Sequence, residues 1–177
     1  MKTVISEKEV KKVKSPFADE FEDYLKQSLK GLELGYSFLL NTKLEKLSNY
    51  ILFPKLFFGL MSKNQMQIFN EQQIDLDNKY ELLMSDEKTN KLVPLTVLNV
   101  ENIIITNYYA KITYNTLKIL NLPNIKITFI FKELANKKCI LVFIMKPNEP
   151  ISHEVNCRIF NFWKKKLKEF WQHFELK

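Results

Sequence analysis

Hydrophobic positions recur with a period of two through the middle of this chain and with a helical period towards its ends. From Ile125 to Leu134, Ile125, Ile127, Phe129 and Phe131 fall on one face and Lys126, Thr128, Ile130 and Lys132 on the other, which predicts a strand with one buried face. Lys138 to Lys146 sets Leu141, Phe143 and Met145 against Ile140, Val142 and Ile144. Apolar on both faces, it predicts a central strand. Ala135 to Lys138 joins the two, with Asn136 suited to a left-handed conformation. Asn102 to Tyr114 is the longest expected strand, with Ile104, Tyr108, Ala110, Ile112 and Tyr114 on one parity. Leu92 to Val100 carries Pro94, which cannot donate to a ladder and so belongs at an edge or a bulge. Lys79 to Ser85 is entered through Asp77 and Asn78 and left through the polar turn Asp86 to Asn90. Gln65 to Ile74 and Leu34 to Leu40 complete the expected sheet.

Helical spacing appears in three places. Phe17, Phe21, Tyr24, Leu25, Leu29 and Leu32 mark an amphipathic helix that opens at Pro16, with Ser15 before it and Gly31 near its end. Thr42 is placed to cap a helix through Leu44, Leu47 and Ile51, which Pro54 breaks before a second short helical stretch from Leu56 to Met61. After Pro147 to Pro150 a long helix runs from Ile151 to Lys177. Ser152 stands at its N-cap and Glu154 in its first turn. Val155, Ile159, Phe162, Trp163, Leu167, Phe170, Trp171 and Phe174 form its apolar face, and Lys164, Lys165 and Lys168 its far side. Residues 1–15 read as a charged tail, residues 1–32 as a helical extension, and residues 33–177 as one domain.

A length of 177 residues suits one domain with a sizeable core, and 46% hydrophobic with 13% aromatic residues argues against disorder. The net charge of +7 rests almost wholly on lysine, since Arg158 is the one arginine. Base readout leans on bidentate arginine, so nucleic acid is not the expected partner. No stretch reaches the ~20 apolar residues that a spanning helix needs. The most apolar segment, Tyr50 to Met61, is interrupted by Pro54 and Lys55. Residues 1–15 contain no apolar core of a secretory signal. Cys139 and Cys157 do not make a disulfide framework and fit a cytoplasmic or other reducing setting.

No catalytic signature stands out. His153, Glu154 and Cys157 place an imidazole and a thiol one helical turn apart, half of a zinc site without its other half; a helix cap beside a thiol is the simpler reading. No phosphate loop, nucleophile elbow or identifiable acid–base pair is present, so no catalytic residue, cofactor or metal is assigned. The run Lys164 to Lys168 reads as a solvated helix face, with contact to anionic lipid head groups as the sharper alternative.

The order of a strand, two short helices, about six strands and one long C-terminal helix resembles the helix-grip fold of the START-like superfamily. That superfamily includes Bet v 1-like proteins, polyketide cyclase-like proteins and the activator of Hsp90 ATPase domain. The stretch from Ile125 through Cys139–Met145 to the helix of Trp163 and Trp171 carries the likeness best. With three glycines, Gly31, Gly35 and Gly59, the chain lacks the glycine-rich loop of many members. The resemblance implies an α+β architecture, a curved antiparallel sheet of about seven strands wrapped on the helix. It also implies a cavity between them for an apolar small molecule or lipid. The expected lining is Tyr108, Phe129, Phe131, Phe143, Met145, Ile159, Trp163 and Phe170. The alternative is that these side chains simply fill the core, and a one-residue slip of strand parity would exchange them for their neighbours. Non-enzymatic binding or transport of a hydrophobic ligand ranks first. A protein-interaction module of the Hsp90 co-chaperone kind ranks second, and a cavity enzyme of the cyclase or dehydratase type third.

Overall fold

The computed structural model describes residues 4–5, 33–61, 65–117 and 123–175. Its sheet runs β1 (Val4–Ile5), β2 (Glu33–Leu40), β3 (Met66–Gln67), β4 (Lys79–Ser85), β5 (Leu92–Ile105), β6 (Tyr109–Leu117), β7 (Ile125–Glu133) and β8 (Cys139–Pro147). The spatial order is β1-β2-β8-β7-β6-β5-β4-β3, and the seven strands from β2 to β8 pair antiparallel. Between β2 and β3 lie a 3-10 turn (Leu44–Leu47), α1 (Ser48–Leu52) and α2 (Pro54–Met61). The chain closes with α3 (His153–Glu175), which packs in the curl of the sheet. This is the expected α+β helix-grip.

The alternating strands form as their patterns require. In β7 the side chains of Ile125, Ile127, Phe129 and Phe131 are buried, and in β8 those of Cys139, Leu141, Phe143 and Met145. β8 lies between β2 and β7, and its outer residues Ile140, Val142 and Ile144 are half-buried. Pro94 sits where expected. The register passes from Leu82↔Thr96 to Leu83↔Pro94, which leaves Leu95 as a bulge, and the pairing of β5 with β6 begins only at Val97. Ser152 caps α3, its hydroxyl accepting the Val155 N–H at 3.2 Å.

Four expectations are corrected. Asn102 to Tyr114 is not one strand. It turns at Thr106–Tyr108, where the Thr106 N–H donates to the Tyr109 carbonyl at 2.7 Å. Thr106 and Tyr108 are good strand formers, so the pattern ran unbroken across the turn. Of Gln65 to Ile74, only Met66–Gln67 pairs as strand. Thr42 does not cap the first helical turn; a carboxylate from β7 does, Glu133 accepting the Leu44 N–H at 3.3 Å. In the β7–β8 turn the left-handed residue is Lys137 (φ 62°), while the Asn136 side chain accepts the Lys138 N–H at 3.3 Å. Within the segment read as a tail, Val4 and Ile5 lie parallel to Glu33 and Leu34. The expected helix from Phe17 to Leu32 lies outside the described residues.

The core is an aromatic cluster. α2 delivers Phe57 and Phe58 between α3 and the sheet. The Phe57 ring centre lies 5.0 Å from that of Phe129, 5.9 Å from Phe131 and 4.9 Å from Phe170. Phe58 stands 5.7 Å from Tyr114 and 6.1 Å from Trp163. From α3, Phe160 stacks on Phe143 at 5.7 Å. Most of these pairs are edge-on, the arrangement that ring quadrupoles favour.

Candidate functional site

Phe57 and Phe58 decide how much space the grip encloses. The void they leave beside Tyr114, Phe129 and Phe131 has a volume of about 10 Å³, room for a water and no organic ligand. Space opens instead to one side, between the first half of α3 and the ends of β5, β6 and β7. There a pocket of about 340 Å³ is lined by Leu95, Thr96, Thr116, Pro123, Ile125, Val155, Arg158, Ile159, Phe162 and Trp163.

Each wall follows from local structure. The Leu95 bulge turns the β5 backbone at the rim. Val155, Ile159 and Phe162, at i, i+4 and i+7, form a half-buried stripe along α3 beside the fully packed stripe of Phe160, Trp163 and Leu167. The two threonine hydroxyls turn to the backbone. Thr116 Oγ1 donates to the Ile125 carbonyl at 3.2 Å and accepts the Ile125 N–H at 2.9 Å. Thr96 Oγ1 donates to the Leu117 carbonyl at 3.1 Å. Arg158 is the one ionisable lining group, and its guanidinium is held by Glu154 at 2.7 Å on the exposed side of the helix. A pocket so lined can desolvate an apolar molecule; it offers no acid–base pair for chemistry on it.

Two of the eight residues expected to line a cavity, Ile159 and Trp163, do so here. Phe129, Phe131, Phe143, Met145 and Phe170 are 0–1% exposed and fill the core. Tyr108 is corrected: it stands 69% exposed at the β5–β6 turn, beside Lys43 and Glu133. Val155 and Phe162 were legible as part of the apolar face, but nothing in the spacing marked them off from the packed stripe. Leu95, Thr96 and Thr116 enter through the bulge and the strand ends, which periodicity does not report.

Further polar groups lie outside this lining. Asn156, one residue past Val155, is 1% exposed, and neither its Oδ1 nor its Nδ2 has a hydrogen-bond partner among the described residues. Lys166 does not join the solvated face expected for the lysine run. It is 6% exposed, its stem packed inward, and its Nζ donates to Gln65 Oε1 at 3.4 Å. At the helix start the His153 ring nitrogens lie 3.6 and 3.7 Å from Cys157 Sγ. Among the described residues no group of three His, Cys, Asp or Glu side chains is placed to hold a metal ion. Deep in the core, burial raises the Tyr114 phenol above its ordinary range and pushes the Cys139 thiol up to about 12. No described helix is long and apolar enough to cross a membrane.

No family model and no curated protein matches the sequence. The backbone does match solved structures. Ginseng major latex-like protein 151 from Panax ginseng superposes at a TM-score of 0.60 with 8% identity, over 82% of this chain and 98% of that one. The hypothetical protein jhp0584 from Helicobacter pylori gives 0.60 with 8% identity, over 82% and 89%. DynU16, from the dynemicin biosynthetic locus, gives 0.56 with 7% identity, over 81% and 47%. With its curled sheet and C-terminal helix, the chain has the helix-grip fold of these structures. At such identities the likeness is one of fold, compatible with a ligand cavity, and the fold does not name a ligand.

Proposed function

We propose that this protein binds an apolar or amphipathic small molecule in the pocket between α3 and the ends of β5, β6 and β7. The observation that carries the reading is the pocket itself: about 340 Å³, walled by aliphatic and aromatic side chains whose neighbouring hydroxyls are already hydrogen-bonded. Non-enzymatic binding or carriage suits a lining without an acid–base pair better than catalysis does. The placement of Cys139 in the core and of Cys157 on α3 suits a reducing compartment.

Gentle purification followed by native mass spectrometry and solvent extraction tests the reading. A bound apolar compound, lost in Val155→Trp, is the expected result. Protein that stays free of ligand, and that no apolar probe stabilises, would count against it. A second reading, a protein-interaction module, is favoured by the exposed Ile104, Ile105 and Tyr108 at the β5–β6 end, at 44%, 46% and 69%. Replacing all three with serine separates the two, because ligand binding survives that change and partner binding does not.

A further inference from the structure

The far side of α3 shows a different kind of site. β2 has β8 on one side, and on the other β1 covers only Glu33 and Leu34. Which backbone groups face outward beyond that point follows from one hydrogen bond. Trp171 Nε1 donates to the Leu39 carbonyl at 2.9 Å, so Leu39 points its backbone polar groups away from β8. In an antiparallel pair these directions alternate. The Gly35 carbonyl, both polar groups of Ser37 and the Leu39 N–H therefore face outward too. Among the described residues nothing pairs with them. Gly35 is buried, whereas Ser37 and Leu39 are exposed, so the accessible backbone of this edge is that of Ser37 and Leu39.

This edge forms one wall of a groove of about 620 Å³, with Lys164, Lys168 and Trp171 of α3 opposite and Lys138 at one end. Lys164 is held over the Tyr36 ring, its Nζ 4.1 Å from the centroid. Glu175 is the one acidic residue in the lining, so three lysines give the groove a positive field.

We propose that the open edge of β2 from Ser37 to Leu39 is a docking site for an extended segment of a partner protein that carries acidic side chains. The segment adds as a strand beside β2, pairing with both polar groups of Ser37 and with the Leu39 N–H. Its carboxylates meet Lys138, Lys164 and Lys168. Backbone pairing supplies affinity and the lysines supply selectivity, the division of labour usual in strand addition. Val4 and Ile5 already use the first two positions of this edge in the same way.

The probe is a fluorescein-labelled eight-residue peptide alternating glutamate and valine, titrated into the full chain by fluorescence anisotropy. Saturable binding is expected, with new hydrogen-exchange protection at the Ser37 and Leu39 amides. The lysine–valine counterpart should not bind. N-methylating one central peptide nitrogen should weaken binding about tenfold, a control that leaves the protein's fold untouched. Ser37→Pro, tolerable at an edge because it removes an outward N–H, should do the same. The pair Lys164→Glu and Lys168→Glu should abolish preference for the acidic peptide. Equal binding of both peptides, or no effect of N-methylation, would overturn the proposal. So would a Ser37 amide already protected in the free chain, which would mean that the chain's own N-terminal segment or a second copy holds the edge.

Discussion

Phe58 is fully buried between Tyr114 and Trp163 and, with Phe57, takes the room that an empty grip would leave. Phe58→Ala should cost about 3–5 kcal/mol in urea denaturation and open a cavity beneath α3. A loss below 1 kcal/mol would mean that the ring is not packed as described. Cys139 gives a pH test. The folded thiol keeps its proton up to about 12, whereas an unfolded one loses it near 9. Between those values the unfolded chain binds fewer protons than the folded one, so stability falls as pH rises through that window. Cys139→Ala should flatten part of the decline in melting temperature above pH 9; the buried Tyr114 phenol, also raised, retains the rest. Asn156 gives the third. Asn156→Leu removes the unpaired amide and should raise the melting temperature.

At the scale of elements, α3 depends on its cap. Ser152→Ala should cost about 1 kcal/mol by thermal or urea unfolding, because the Val155 N–H loses its acceptor. Elements were legible where the pattern and the local chemistry agreed. β7 and β8 alternate cleanly, β4 is bounded by turn residues, and Ser152 stands immediately before a helical stripe. They were misread where long-range partners decided. Nothing near Thr42 announces that a carboxylate from β7 would cap the 3-10 turn, and Thr106–Tyr108 turns through residues that favour strands. The placement of α2 was hidden for the same reason. Two adjacent phenylalanines after a proline do not reveal which surface they enter, yet that entry closes the deep cavity and leaves the pocket at its side.

At the scale of the molecule, architecture was readable because element order and burial pattern jointly limit how a sheet and one long helix can cover each other. Less of the site was readable. Ile159 and Trp163 belong to the pocket, but the aromatic face of Phe129, Phe131 and Phe143 is core, because packing between elements and not periodicity determines what remains empty. The measurement closest to the central claim is a titration of the full chain with decanol, followed by isothermal calorimetry and thermal unfolding, beside Val155→Trp. The account predicts saturable one-to-one binding with a negative heat-capacity change and a melting temperature that rises with ligand, both lost in the variant. Binding that the variant leaves unchanged, or none at the solubility limit of decanol, would contradict it.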